Sequence, residues 1–138
     1  MSSSWHNLAL NPEAIANLYN YVPYLENVEL FSLLMNRDGP QISASLKLSR
    51  YPDKPPKRWL PEFNTVQVHL NFIDISNFMA RGLYTEMKVD VRIKRDSNTG
   101  LKVHFKGLDN NMDVSFDSGF FHIDRITPYI LESRPCSI

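Results

Sequence analysis

Residues 87–106, MKVDVRIKRDSNTGLKVHFK, carry the clearest pattern in the chain, because apolar and polar side chains alternate on both sides of a turn signal. A period of two places successive side chains on opposite faces of a β-strand. The segment 96–100 is rich in residues that favour turns, and it is short enough to join two antiparallel neighbours. The sequence therefore predicts a β-hairpin with one apolar face and one charged face.

Similar alternation occurs in much of the remaining sequence. It covers residues 28–35, 42–48, 66–72, 112–116 and 121–126. With the hairpin, these segments make about seven strands. The turns between them are closely spaced, which predicts antiparallel neighbours in a meander, because parallel pairing needs longer crossovers. Residues 76–80 are compatible with one helical turn, and residues 117–119 with a tight turn between the last two strands.

A short helix is predicted before the first strand. Asn11 is a good N-cap residue, Pro12 suits the first helical position, and Glu13 complements the helix dipole. The apolar positions that follow have helical spacing: Ile15, Leu18, Tyr19 and Val22. Pro23 then ends the helix. The predicted fold class is α+β and mainly β, with one N-terminal helix packed on a curved antiparallel sheet (a meander or partly open barrel) in a single domain, residues 1–138.

Composition excludes several classes of protein. Of the 138 residues, 43% are hydrophobic and 22% are charged, which is typical of a globular protein. Fifteen basic residues balance fifteen acidic ones, so nothing drives general binding to nucleic acid. No apolar run approaches the roughly 20 residues of a membrane helix. The single cysteine, Cys136, excludes an internal disulfide, and the N-terminus lacks a signal-peptide pattern, so we expect a cytoplasmic protein without nucleic-acid or membrane partners.

The turns also suggest how the strands align. The expected register opposes three pairs of residues: Arg95 and Leu101, Val103 and Val114, Phe116 and Phe121. On the polar face this register gives two cross-strand rows: Arg92, His104, Asp113 and Asp124, and then Lys94, Lys102, Ser115 and His122. Asp113 and Asp124 are neighbours in this arrangement. Two like charges destabilise a sheet unless a cation or a basic group neutralises them.

The arrangement of these polar residues leaves two functions open. One is a small metal-dependent hydrolase that uses His and Asp residues of the polar face, including His69. The other is a structural or ligand-binding β-module with a pocket inside the curved sheet. The same residues are also explained without any such function, as cross-strand ion pairs on a solvated face. The sequence has no glycine-rich phosphate loop, nucleophile elbow or His-Glu-x-x-His motif, so we predict no enzyme, no catalytic residue, no metal and no cofactor.

Charge is unevenly distributed along the chain, which suggests a surface for a protein partner. Residues 47–58 and 88–106 are basic, whereas residues 109–124 contain four acidic residues and no basic one. An acidic patch fits a basic partner. The predicted partner-binding residues are Asp109, Asp113, Asp117 and Asp124, the flanking His104 and His122, and Trp59 of the proline-rich loop. Trp59 is included because exposed Trp is enriched at interaction hot spots, although it is equally able to fold back on the sheet.

Short motifs along the chain point to one family. YVPYL (residues 21–25) precedes ENVEL (26–30), a turn follows at DGP (38–40), and the closing segments are MDVSFDSG (112–119), FHI (121–123) and ITP (126–128). This order resembles the bacterial immunity proteins of polymorphic toxin systems, specifically the family called immunity protein fifty. The resemblance implies a protein that is not an enzyme and that binds and blocks a cognate toxin. Because residues 28–35 are apolar on both faces, we expect a monomer or a homodimer.

Overall fold

The computed structural model describes residues 5–82, 88–96, 100–108 and 111–131. These ranges contain a 3-10 turn, Trp5–Leu8, and a short helix, α1 (Glu13–Ala16). They also contain eight strands: β1 (Val28–Asn36), β2 (Gln41–Lys47), β3 (Thr65–Ile73), β4 (Ser76–Arg81), β5 (Lys88–Arg95), β6 (Leu101–Gly107), β7 (Asp113–Ser118) and β8 (Phe120–Tyr129). The predicted mainly-β fold is confirmed, with one strand more than expected.

All eight strands form one antiparallel sheet that does not close into a barrel. Their order is β4-β7-β6-β5-β1-β2-β3-β8. The hairpin predicted from residues 87–106 is confirmed as β5 and β6, and Arg95 opposes Leu101 as expected. The Asp38-Gly39-Pro40 turn also joins antiparallel neighbours, because β1 pairs with β2. Among the described residues, no helix has both the length and the apolar character needed to cross a membrane.

The tight turn expected at residues 117–119 is wrong. β7 pairs with β4 and β6, whereas β8 pairs with β3 at the other edge of the sheet. The chain bends here without reversing: the Gly119 N–H donates to the carbonyls of Ile73 (2.9 Å) and Asp74 (3.2 Å), and the buried Ser118 hydroxyl lies 2.8 Å from the Ile73 carbonyl. We call this bend the corner. It also explains why residues 76–80 form β4, which continues β3 past the bend, and not a helical turn.

The N-terminal helix is much shorter than predicted and ends at Ala16. Asn11 does not cap it. Instead, the Asn11 side chain acts like a strand backbone: its Nδ2 donates to the Ile123 carbonyl (2.9 Å), and its Oδ1 accepts from the Ile123 N–H (2.8 Å). The Leu10 N–H donates to the Phe121 carbonyl at 2.9 Å. The segment therefore satisfies backbone groups of β8, an edge strand that would otherwise expose them.

The core consists of the side chains that alternate inward along the sheet. Its centre is an aromatic cluster in which the ring of Phe72 lies 5.2 Å from Phe121, 5.3 Å from Phe116 and 6.5 Å from Phe105, measured between centroids. Trp5 stacks on Phe121 at 6.4 Å, and its indole N–H donates to the Pro23 carbonyl at 3.0 Å. The N-terminal segment thus covers the open side of the sheet and leaves the opposite, outer face exposed.

Candidate protein-binding face

The outer side chains of β4, β5, β6 and β7 form a strongly charged surface, which we call the charged face. Three cross-strand rows make up its centre: Asp90, Lys106, Asp113 and Arg81; then Arg92, His104, Ser115 and Met79; then Lys94, Lys102, Asp117 and Ser76. Their exposure alternates with the buried core residues, as the period of two requires. The rows run across four neighbouring strands, so strand pairing fixes the spacing of the charges.

Two acidic residues of the charged face, Asp113 and Asp117, are paired with neighbouring side chains. Asp113 accepts a hydrogen bond from Nε2 of His104 at 2.8 Å, and Arg81 lies 3.7 Å away. The hydrogen bond from His104 is the main reason why the pKa of Asp113 is below its usual value. The carboxylate is therefore held in its charged form and is already paired before any partner arrives.

Asp117 is paired in the same way. It accepts hydrogen bonds from Nδ2 of Asn77 at 2.6 Å and from Nζ of Lys102 at 3.1 Å. These two contacts lower the pKa of Asp117, and the same ion pair raises the pKa of Lys102. Because both partners are on the surface, the pair contributes little to stability.

The structure brings only part of the predicted binding set together. His104, Asp113 and Asp117 share the charged face. Asp124 lies on β8 beside Arg125, 3.3 Å away, and His122 lies on the same strand opposite Asn71. The predicted adjacency of Asp113 and Asp124 is therefore wrong, because the corner leads from β7, which pairs with β4 and β6, to β8, which pairs with β3. Val103 opposes Phe116 and not Val114, so the expected rows are also wrong between β6 and β7.

The two remaining predicted residues lie elsewhere. Trp59 is half-buried in the loop between β2 and β3, packs against the core and lies 6.0 Å from Tyr51 between ring centroids. Of the two positions that the sequence left open for Trp59, the structure shows the one in which the side chain packs back against the protein. Asp109 lies outside the described residues.

Sequence reasoning missed Arg92 and Lys94 on β5 as site residues. Both are exposed, and neither has a carboxylate within 4.0 Å among the residues that the structure describes. They border a concavity of about 540 Å³ on the charged face, which His104, Lys102 and Asp117 also line. The excess of positive charge in residues 88–106 was the available signal. Only the register shows which of those charges remain unpaired.

The described residues offer little for catalysis. No group of three or more His, Cys, Asp or Glu side chains in ranges 5–82, 88–96, 100–108 and 111–131 is placed to hold a metal ion. His69 contacts the Ser45 hydroxyl at 2.9 Å and the Thr127 hydroxyl at 3.1 Å. A nucleophile and base of the serine-hydrolase type needs a carboxylate on the far side of the imidazole, and here that position is a threonine. The contacts of His69 therefore do not form a serine-hydrolase triad.

We expect the folded state to lose stability between pH 7.5 and 5.5. Burial lowers the pKa of His6 and, with Arg125, the pKa of His69. The unfolded chain therefore takes up protons near pH 6.5 while these folded-state histidines remain neutral, so the stabilisation present above about pH 6.5 is lost as pH falls through the lowered values. Protonation of the carboxylates with lowered pKa affects stability only below about pH 4. Thermal melts should show a lower Tm at pH 5.5 than at 7.5, and the difference should shrink in His69→Gln. An unchanged difference in that variant would contradict this account.

A comparison with known families identifies the kind of protein to which this chain belongs. Residues 11–129 match the model of a family of immunity proteins, a class that is generally non-enzymatic. The chain belongs to the immunity protein 50 family, as its short motifs indicated. No curated protein and no solved structure gives a significant match.

Proposed function

We propose that this protein binds and neutralises a cognate bacterial toxin through protein–protein contact in the cytoplasm, as a monomer or a homodimer and without catalysing a reaction. The observation that carries the proposal is the match to the immunity protein 50 family, which extends from Asn11 in the N-terminal segment to Tyr129 at the end of β8. The match therefore covers the whole sheet and the segment that packs on its edge.

The charged face is the surface that we propose for toxin contact, and His104, Asp113 and Asp117 are part of it. Its residues lie on paired strands, so the spacing of the charged groups is set by the sheet before binding. A preorganised surface loses less conformational entropy on association than a flexible one. Interleaved charges of both signs also favour one partner and one orientation.

The other predicted contact residues lie apart from this face. Asp124, His122 and Trp59 are on β8 and on the loop between β2 and β3. Their contact with a toxin stays a separate prediction, as does that of Asp109.

Growth of a susceptible bacterium tests the proposal. The product of the gene encoded immediately beside this one is expressed with and without this protein, and a co-expressed unrelated domain of similar size serves as the control. We expect the neighbouring product to stop growth alone and growth to recover only with this protein. The purified pair should also co-elute in size-exclusion chromatography. A harmless neighbouring product, or equal killing in both strains, would contradict the proposal.

A further inference from the structure

The positive charges of the charged face exceed its negative charges at one place. Arg92 and Lys94 follow each other on the outer side of β5, and Lys94 lies directly opposite Lys102 of β6. Like charges at opposed positions destabilise a sheet unless something neutralises them. Asp117 pairs with Lys102, and Asp96 also acts on Lys102 through its charge. Neither contact reaches Arg92 or Lys94, for which the described residues supply no ion-pair partner.

These cations line one concavity of the charged face. The concavity of about 540 Å³ is lined by Arg92, Lys94, Lys102, His104, Ser115 and Asp117. The lining thus contains three permanent cations but one carboxylate, that of Asp117. This carboxylate already accepts hydrogen bonds from Lys102 and Asn77. The guanidinium of Arg92 can bind a carboxylate through two parallel hydrogen bonds, and the Lys94 ammonium adds a second charge.

We propose that this concavity receives Asp or Glu side chains of a protein partner. The inference deepens the proposed function and rests on it, because the partner is then the toxin, which would present an acidic segment. It reverses the polarity expected from sequence, in which the acidic residues of this chain met a basic partner. The reason for the reversal is that Asp113 and Asp117 have ion-pair partners within the sheet, whereas Arg92 and Lys94 have none among the described residues.

An acidic protein segment fits this surface better than a nucleic acid does. Asp90, Asp113 and Asp117 alternate with the cations across the face, so a continuous phosphate backbone would pass close to carboxylates. The whole chain has no net charge to attract a polyanion. By contrast, a few acidic side chains that enter the concavity would contact the cations there without passing along the carboxylates of the rest of the face.

A peptide titration tests this inference without the toxin. Hexaglutamate is added to the ¹⁵N-labelled protein at low salt, and amide shifts are followed in the wild type, in R92Q/K94Q and in the control K57Q/R58Q. The control removes one Lys and one Arg from an exposed part of the proline-rich loop. We expect shifts on β5, β6 and β7 that vanish in R92Q/K94Q and persist in K57Q/R58Q. No shifts on these strands, or equal loss in both variants, would overturn the proposal, as would tighter binding of hexathymidylate at the same residues.

The neighbouring gene product provides the second arm. R92Q/K94Q is expected to weaken its binding by about 10-fold or more and to reduce growth rescue, while K57Q/R58Q changes binding by less than about 2-fold. Thermal melts of both variants confirm that each is folded. If the wild type and R92Q/K94Q bind and rescue equally, the charge inference fails and the immunity function stands. If the wild type itself fails to bind or rescue, the proposed function fails, and the peptide titration alone decides whether the concavity binds acidic side chains.

Discussion

Replacing Phe72 with alanine is expected to lower the free energy of unfolding by about 3–5 kcal/mol, the largest effect that we predict for a single substitution. Phe72 is fully buried and is the one ring that contacts Phe105, Phe116 and Phe121 in the central cluster. Its loss leaves a cavity between strands from both halves of the sheet, and rings held by a hydrogen-bonded sheet cannot move far enough to fill it. Urea or guanidinium denaturation of both proteins measures the difference directly.

Phe120→Ala is the matched control for this substitution. Phe120 lies on the outer side of the neighbouring strand β8, and its side chain is 39% exposed. Removing it should cost about 1 kcal/mol or less. If Phe72→Ala and Phe120→Ala lowered stability equally, the packing described for the central cluster would be wrong.

Gly82→Ala is expected to lower the free energy of unfolding by about 2–4 kcal/mol. Gly82 follows β4 with a φ of +71°, a backbone conformation that side chains make costly. A methyl group there would also lie 2.3 Å from the backbone oxygen of Asn111. Because that oxygen belongs to the segment leading into β7, the end of β4 would have to move away from it. The shift would separate Arg81 from Asp113 on the charged face.

Gly39→Ala separates the two causes of this effect. Gly39 has a φ of +100°, but an added methyl group would meet nothing within 4 Å. This substitution should cost only the backbone conformation, about 1–2 kcal/mol. Denaturant unfolding of both variants provides the comparison. A Gly82→Ala protein as stable as Gly39→Ala would mean that the close approach of residues 82 and 111 is not a tight constraint.

For the strands with clear alternation, such as β5, β6 and β7, the sequence predicted the buried face more reliably than it predicted strand neighbours. Alternation between β6 and β7 placed His104, Asp113 and Asp117 correctly on the outer side. The expected register was two residues out, and a shift of two residues leaves every side chain on its original face. The error therefore changed only the ion pairs: His104 opposes Ser115, and its hydrogen bond to Asp113 is diagonal.

The corner could not be predicted for a related reason. Asp117-Ser118-Gly119 has the composition of a reverse turn, and local sequence does not distinguish a reversal from a bend. What determines the outcome is pairing with Ile73 and Asp74, residues more than forty positions away. The same limit applied to Asn11, whose partner Ile123 is distant in sequence. It also applied to Arg92 and Lys94, because only the register shows that they have no carboxylate partner in the part of the chain that the structure describes.

The corner also has a consequence for synthesis of the protein. The segment 113–129 is made after the other strands, yet it supplies the neighbour of β4 and one neighbour each of β3 and β6. A nascent chain that ends before this segment contains both strands of the β1–β2, β2–β3 and β5–β6 pairs but lacks β7 and β8, which pair with β4, β6 and β3. Long-range strand pairing of this kind forms late and slowly. Completion of the fold, and with it of the charged face, must wait until residues 113–129 have left the ribosome.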